Sequence, residues 1–207
     1  MTTPPHVPAR WGPGPSGPLD RLRANLLAPP FPPAPAGLRP SGVLVALVPT
    51  PGGPELLFQR RSSRLPLHAG EICFPGGAME PGDSDLVATA LREAEEETGV
   101  PRAAIEILGI LPGTSTVGTR FWLAPLVGLL PPAPELRSPE NEVAQTILVP
   151  IALFLESGRR RTVDYEIDGE PTPVPFYDVD DTTVVWGATG RILDQLLEVI
   201  RRPRADR

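Results

Sequence analysis

Three glutamates lie close together near the middle of the chain: Glu93, Glu96 and Glu97. Spacings of three and four residues would bring their side chains to one side of an α-helix. Carboxylates this close repel one another, and the C-terminal half of a helix is the end where its dipole disfavours negative charge. A divalent cation would relieve that repulsion, because Mg²⁺ binds one or two carboxylates together with substrate phosphates. An ordinary solvated acidic face is the alternative, and the spacing alone leaves both open.

The segment that carries these glutamates, residues 85–98, is predicted to be an amphipathic helix. It reads DLVATALREAEEET, and its apolar residues recur at helical spacing, which forms a stripe that faces a core. Gly99 follows as a candidate C-cap. A glycine-rich loop, FPGGAMEPGDSD, leads directly into the helix. We therefore expect the glutamates to lie along one edge of the buried stripe.

Strands and short helices surround this helix in the sequence. Two apolar runs, at 42–49 and 55–61, flank a Pro/Gly turn and predict an antiparallel hairpin. Further strands are predicted at 105–111, 120–129, 143–149 and 182–186, and helical segments at 151–155 and 189–200. Interspersed strands with few helices predict one α/β or α+β domain with a mixed sheet.

The distribution of proline divides the chain. Of its 30 prolines, 12 fall within residues 1–40, and proline cannot continue a helix or the interior of a sheet. We predict a proline-rich arm over 1–40, a domain over 41–200 and a basic tail over 201–207. The arm is expected to lie extended on the surface, with a short amphipathic helix at 20–27. A proline-motif ligand for a partner domain is the alternative.

Composition and charge exclude several classes of partner. The 207 residues include 25 acidic and 19 basic residues, all of the latter arginine, for a net charge of −6. Such a chain is a poor binder of nucleic acid, and no apolar run approaches the roughly 20 residues needed to cross a bilayer. The absence of a recognisable secretory signal and the single cysteine, Cys73, fit a reducing cytoplasm. We therefore expect a cytoplasmic protein whose partner is neither nucleic acid nor membrane.

The glutamate helix and the loop before it resemble the Nudix box. The second half of the box pattern is matched in full by REAEEETGV, residues 92–100. In the first half the loop is one residue longer, and Ser84 stands where the box has a glutamate. Asp83 or Asp85 is therefore left to pair with Arg92. The resemblance implies a Nudix-type α/β/α sandwich with a mixed β-sheet.

The segment just upstream of the box narrows the resemblance. Residues 56–77, LLFQRRSSRLPLHAGEICFPGG, resemble the motif found beside the box in Nudix coenzyme A pyrophosphatases. The matching positions are Leu56, Leu57, Arg61, Ser62, Leu65, His68, Gly70, Phe74, Pro75, Gly76 and Gly77. The longer box loop and the segment VWGAT at 185–189 also have the form of that subfamily.

This resemblance implies a metal-dependent hydrolase with a defined carboxylate set. Glu93 and Glu97 would be the principal Mg²⁺ or Mn²⁺ ligands, and Glu96 would complete the cluster. Glu96 or Glu142 would act as the general base, although Glu142 could also be an ordinary loop acid. Arg92 would pair with the loop acid and so belong to the catalytic machinery. The implied reaction converts coenzyme A and water to 4′-phosphopantetheine and adenosine 3′,5′-bisphosphate.

The resemblance also implies a substrate-binding set: Arg61, Ser62, His68, Gly76 and Gly77. Arg61 would hold substrate phosphate or shape the pocket, and glycine at the start of the box would let a main-chain carbonyl approach the metal. All of these residues except Ser62 have a simpler interpretation. Arg61 could form a surface ion pair, His68 could be structural in a turn, and the two glycines could serve only as turn residues.

Other functions stay compatible with the sequence. The enzyme could act on another nucleoside diphosphate derivative, such as ADP-ribose or a nucleotide sugar. The chain could instead be a catalytically silent Nudix-fold binding module, or a scaffold that acts through its proline-rich arm. In the enzymatic interpretations the partner is a small molecule. The resemblance to the family also favours a homodimer.

Overall fold

A computed structural model describes residues 17–64, 68–139, 141–167 and 169–203. Leu65, one of the motif positions, lies outside the described residues. The α-helices of the described chain are α1 (Pro18–Asn25), α2 (Leu86–Thr98) and α3 (Gly187–Arg201). Its strands are β1 (Arg39–Val48), β2 (Glu55–Arg61), β3 (Ile72–Cys73), β4 (Gly76–Ala78), β5 (Glu106–Ile110), β6 (Thr114–Ser115), β7 (Phe121–Leu129), β8 (Val143–Pro150), β9 (Arg160–Ile167), β10 (Glu170–Asp178) and β11 (Val184–Trp186).

A mixed sheet forms the centre of the fold. Its main order is β3-β2-β1-β7-β5, and β1 runs parallel to β7 while its other neighbours are antiparallel. The predicted hairpin is confirmed, because Leu47 of β1 pairs with Leu56 of β2. At its other end, β1 separates from β2 and pairs with the short strand β4. The pairing with β4 places the start of the glycine-rich loop beside β1.

Strand β1 supplies both faces of the core. Val43, Val45 and Leu47 belong to a buried cluster with residues of α1 and α3. The alternate residues, Leu44 and Ala46 among them, belong to a second cluster with residues of α2. Because side chains alternate across a strand, a continuous apolar run can bury both of its faces. The predicted α/β/α sandwich with a mixed sheet is therefore confirmed.

The glutamate helix forms as its sequence predicts. Asp85 is its N-cap and accepts a hydrogen bond from the Ala88 N–H at 2.8 Å. Gly99 ends the helix in the left-handed conformation, at φ 74°. The helix lies directly on β1 at Gly42, where an added Cβ would come within 2.5 Å of the Ala90 nitrogen. Glycine at this point lets the helix backbone approach the sheet.

A second sheet was missed by the sequence interpretation. Strands β9 and β10 form a hairpin that extends to β11 in the order β11-β10-β9. Strand β10 contains prolines at positions 171, 173 and 175, and proline is normally excluded from the interior of a sheet. The hairpin nevertheless forms, because alternate prolines all lie on the same edge and leave the other edge free to pair.

Part of the predicted arm packs on the domain. The short helix expected there is present as α1, and its Leu22 is fully buried against the sheet. Further along, Phe31 packs against the cluster beneath α2. The division of the chain at residue 40 stays a prediction, as does the basic tail.

Candidate active site

The three helix glutamates differ in exposure. Glu97 is buried, with 8 % of its surface exposed. The Glu93 side chain is 17 % exposed, and that of Glu96 is 56 % exposed. Glu93 and Glu97 lie one turn apart on the side of α2 that faces β4. Glu96 lies toward solvent. Of the three glutamates that were expected to share one side of the helix, only Glu93 and Glu97 face β4 together.

The two glycines of β4 receive these carboxylates. The Gly76 N–H donates to Glu97 Oε2 at 3.0 Å. At Gly77, an added Cβ would come within 2.4 Å of the Glu93 carboxylate. A side chain at this position would therefore displace Glu93. Gly76 and Gly77 are part of the carboxylate site and not only turn residues.

Burial and mutual repulsion act on both carboxylates. The pKa of Glu97 is raised to about 7, chiefly by burial and in part by the charges of Glu93 and Glu142, while the Gly76 N–H and Arg61 act in the opposite direction. Burial also raises the pKa of Glu93, although the neighbouring Arg92 partly offsets this effect. Both carboxyl groups are therefore protonated more readily than a solvent-exposed glutamate would be.

An ion pair fixes the loop that leads into the helix. Arg92 Nε donates to Asp83 Oδ1 at 3.0 Å, and Arg92 Nη2 donates to Asp83 Oδ2 at 3.1 Å. This two-point contact raises the pKa of Arg92 and holds the pKa of Asp83 well below its usual range. Asp85 is occupied as the N-cap, so Asp83 takes the place that the Nudix box gives to a loop glutamate.

Arg92 also reaches the glutamates themselves. Its Nη1 lies 2.8 Å from Glu93 Oε1 and 3.2 Å from Glu96 Oε2. Its Nη2 donates to the Ala78 carbonyl at 3.1 Å. Arg92 therefore joins the loop, β4 and the carboxylates, which is a positioning function.

Strand β2 contributes Arg61 on the side that faces α2. The register between β2 and β8 shifts between Arg60 and Arg61, and such bulges redirect side chains. Arg60 Nη2 donates to Thr183 at 3.0 Å, toward the other side of the sheet. The Arg61 charge lowers the pKa of both Glu97 and Cys73, so its guanidinium lies near both groups. Its Nε is buried and has no hydrogen-bond partner in the described part of the chain.

Cys73, beside Arg61, is not a nucleophile. Burial raises the pKa of its thiol to about 12, so the reactive thiolate is not populated near neutral pH.

Gln59 was missed by the sequence interpretation. It is 1 % exposed, and its Nε2 donates to the main-chain carbonyl of Glu97 at 3.2 Å. The contact ties the last turn of α2 to β2 and so helps to position the Glu97 carboxylate. Little in the sequence signals this role, because Gln59 lies between the apolar part of β2 and its two arginines.

Ser62 and Glu142 are joined through the backbone. Ser62 is buried, and its N–H donates to the Glu142 carbonyl at 2.8 Å. The Ser62 hydroxyl accepts from the Arg64 N–H. The Glu142 side chain is exposed and accepts from Asn141, yet its charge still raises the pKa of Glu97. Ser62 therefore positions the loop that brings Glu142 near the carboxylate site.

His68 lies apart from this cluster. It is exposed, has a left-handed backbone with φ 58°, and its Nδ1 lies 3.0 Å from Glu71 Oε2. The structure thus brings together Arg61, Gly76, Gly77, Arg92, Glu93 and Glu97, while no contact in the described residues joins His68 to them. Its assignment to the substrate stays a prediction.

The residues present fit a divalent cation of the magnesium type. Among the described residues, no three His, Cys, Asp or Glu side chains lie close enough together to hold a metal ion as they stand. Mg²⁺, however, usually takes only one or two carboxylates and keeps several water ligands. Glu93 and Glu97 are such a pair, because both carboxylates lie against the glycines of β4.

The match to a known domain family covers most of the site. A model described as the NUDIX domain matches residues 38–165 of the chain. The chain belongs to the Nudix family. It is also 37 % identical over 174 residues to a protein of Shigella flexneri named as the uncharacterized Nudix hydrolase NudL, covering 84 % of this chain and 89 % of that protein. A NudL protein of Escherichia coli is 38 % identical over 158 residues, covering 76 % and 81 % of the two chains.

Solved structures of Nudix proteins also match this Nudix chain. A MutT/nudix family protein of Enterococcus faecalis has a TM-score of 0.49 and 17 % identity, covering 84 % of this chain and 71 % of that one. The Ap4A hydrolase of C. elegans, in a binary complex, has a TM-score of 0.47 and 19 % identity, covering 56 % of this chain and 82 % of that one.

In the described part of the chain, no helix is both long and apolar enough to cross a membrane.

Proposed function

We propose that this Nudix hydrolase cleaves the pyrophosphate bond of coenzyme A or of its acyl derivatives. One observation carries the proposal: Arg61, Gly76 and Gly77, all from the segment that resembles the coenzyme A pyrophosphatase motif, meet Glu93 and Glu97 of the Nudix helix. The buried and unpartnered Nε of Arg61 gives this site a donor that phosphate oxygens can accept from.

The proposed roles follow from the contacts of each side chain. Glu93 and Glu97 would hold Mg²⁺ or Mn²⁺, and the bound ion supplies charge neutralisation for the pyrophosphate. The Gly76 N–H holds Glu97 in place, and Arg92 does the same for Glu93. Arg61 would bind a phosphate oxygen beside Glu97. This arrangement orients the pyrophosphate for attack by water.

In the proposed reaction, the oxygen of a water molecule bonds to one phosphorus as the bridging P–O bond breaks. The water proton passes to a carboxylate, for which Glu96 and Glu142 are the two candidates. Glu96 accepts a hydrogen bond from Arg92, whereas Glu142 accepts one from Asn141. We expect Glu→Gln at the true base to lower kcat by roughly a hundredfold or more, and Glu→Gln at the other residue to lower it far less.

A panel of substrates tests the proposal. Purified protein is assayed with Mg²⁺ on coenzyme A, an acyl-coenzyme A, ADP-ribose and dGTP, and kcat/KM is compared. We expect coenzyme A or its acyl derivative to be preferred. A preference for ADP-ribose would contradict the proposed substrate while leaving the Nudix chemistry intact.

The variant Glu97→Gln tests the mechanism separately. It should lower kcat on the preferred substrate by more than about tenfold. Unchanged turnover of every substrate would contradict the metal mechanism, and a wild-type protein that turned over none of them would favour a silent binding module.

A further inference from the structure

Strand β9 is an exposed edge of the second sheet. Within the described residues it pairs with β10 alone, and all of its positions except Val163 and Ile167 are exposed. An edge strand of eight residues presents a row of unpaired N–H and C=O groups. Natural proteins usually block such an edge, so an open one needs an explanation.

The neighbouring strand β10 has a blocked edge. Strand β11 covers only the end of β10, at Phe176, Tyr177 and Asp178. The uncovered part of that edge carries the alternating prolines at 171, 173 and 175, which cannot donate to a further strand. Strand β9 contains no proline. The open edge of β10 is therefore blocked by prolines, whereas the open edge of β9 is not.

The proline positions show which backbone groups of β9 are free. In the observed register the prolines at 171, 173 and 175 lie opposite Glu166, Asp164 and Thr162, respectively. Because proline has no N–H, these are the non-hydrogen-bonded pairs of the antiparallel ladder. The N–H and C=O groups of Glu166, Asp164 and Thr162 therefore point outward, away from β10.

The charges of β9 are complementary to a second copy of the same strand. Its first two residues are arginines, and Asp164 and Glu166 lie toward its other end. In an antiparallel pair centred on Val163, Arg160 lies opposite Glu166 of the second copy, and Thr162 lies opposite Asp164. Opposite charges stabilise such pairs, whereas an edge blocked by charges of one sign would repel its copy. Arg160 is also bonded to Asp194, while Asp164 and Glu166 make no ion pair within the described residues.

The same register places an aromatic residue beside a cation. Tyr165 is 41 % exposed, and its ring lies 6.0 Å from that of Phe176 and 6.1 Å from that of Trp186. Arg161 already lies over the Phe176 ring at 4.5 Å. With Val163 at the centre, Tyr165 lies opposite Arg161 of the second copy, which adds two cation–π contacts across the pair.

We propose that β9 is a dimerisation strand, through which two copies of this chain pair antiparallel about Val163 into a continuous six-stranded sheet. The twofold relation uses the same patch on both copies and leaves no further edge of β9 open. It satisfies the outward backbone groups and pairs the arginine end of each strand with the acidic end of the other.

Charge reversal tests the proposed register. Glu166→Arg places two arginines opposite each other at both ends of the pair, so dimerisation measured by sedimentation equilibrium should weaken by roughly tenfold or more. Glu170→Arg is the matched control, because it makes the same charge change on an exposed residue of β10, outside the proposed interface. A wild-type protein that is monomeric at high concentration, or equal effects of the two variants, would overturn the proposal.

Cross-linking tests the centre of the interface. Val163 lies in a hydrogen-bonded pair with β10, so it would form a non-hydrogen-bonded pair with Val163 of the second copy, at a Cα separation of about 4.5 Å. That separation allows a disulfide, and the test is made in a Cys73→Ala background, which removes the only native cysteine. Val163→Cys should give a covalent dimer on mild oxidation, and Glu170→Cys should not. A Val163→Cys protein that stays monomeric on oxidation would overturn the proposal.

Discussion

Glu97 and Glu93 both lie against a glycine of β4, and the charge of Glu93 raises the pKa of Glu97. The Gly76 N–H fixes Glu97 at 3.0 Å, and the absence of a side chain at Gly77 lets Glu93 lie against the strand. Fixed carboxylates that share a raised pKa need little reorganisation to bind a cation. The positions of the two carboxylates therefore depend on the backbone of β4.

Gly77→Ala should lower the activity of the protein much more than its stability. The added methyl group would collide with the Glu93 carboxylate, and displacement of a positioned group by about 1 Å can cost about a hundredfold in rate. We expect such a loss in kcat/KM with coenzyme A as substrate, with a smaller change in the urea midpoint. Gly82→Ala is the control, because nothing lies within 4 Å of its added Cβ. Equal activity of the two variants would contradict the assigned position of Glu93.

Glu97→Gln should stabilise the metal-free protein above neutral pH. The pKa of Glu97 is raised from 4.5 to about 7 in the folded state, so its contribution to stability is complete below pH 4.5 and is lost as the pH rises through about 7. The shift corresponds to on the order of 3 kcal/mol. Urea unfolding in the presence of a chelator measures this effect. The variant should exceed the wild type in unfolding free energy at the alkaline end only, and equal pH dependence of the two proteins would contradict it.

At the scale of elements, α2 is held at both ends and along one face. Asp85 caps its start, Gly99 ends it, and Gln59 binds the carbonyl of Glu97 in its last turn. The Asp83–Arg92 ion pair joins the preceding loop to the middle of the helix. Since Arg92 also contacts Glu93, the loop and the carboxylates are positioned as one unit.

Asp83→Asn should disrupt this unit. It removes the charge that Arg92 pairs with and leaves a partly buried cation short of a partner, which costs about 1–3 kcal/mol. We expect a lower melting temperature and a lower kcat/KM. Asp85→Asn removes the same charge two residues away, and asparagine caps a helix about as well as aspartate. If Asp85→Asn were as damaging as Asp83→Asn, the ion pair would not be the element that positions the site.

At the scale of the whole molecule, segments distant in sequence close the core beneath the sheet. Leu22 of α1 belongs to the same buried cluster as Leu193 of α3. The β9–β10 hairpin is tied to α3 by Asp194, which accepts from Tyr177 and from Arg160. Part of the proline-rich segment is therefore needed to complete the domain.

Leu22→Ala should destabilise the fold although it lies far from the site. Leu22 is fully buried, and Leu→Ala in a core costs about 2–5 kcal/mol. Leu27→Ala is the matched control, because Leu27 is 57 % exposed. Urea unfolding should show the difference, and similar unfolding free energies for the two variants would contradict the packing of α1. Activity at low temperature should be retained in both.

Local elements were predicted well where their signals lie in one stretch of chain. The bounds of α2, its N-terminal residue Asp85 and its cap Gly99 follow from apolar spacing and capping chemistry. The β1–β2 hairpin follows from two apolar runs about a turn. The strands β3, β4 and β6 are two or three residues long and carry no period that a sequence can show. Their pairing depends on neighbours brought by the fold.

The sequence by itself determined the family, the amphipathic helix and the spacing that brings Glu93 and Glu97 to one face. These depend on residue types within a few turns of one segment. Only the tertiary structure decided that Asp83 pairs with Arg92, and that Arg61 faces Glu97 while Arg60 faces Thr183. Each of these results is a contact across a loop or between separate strands, and such a contact is set by burial and backbone register, which no local pattern encodes.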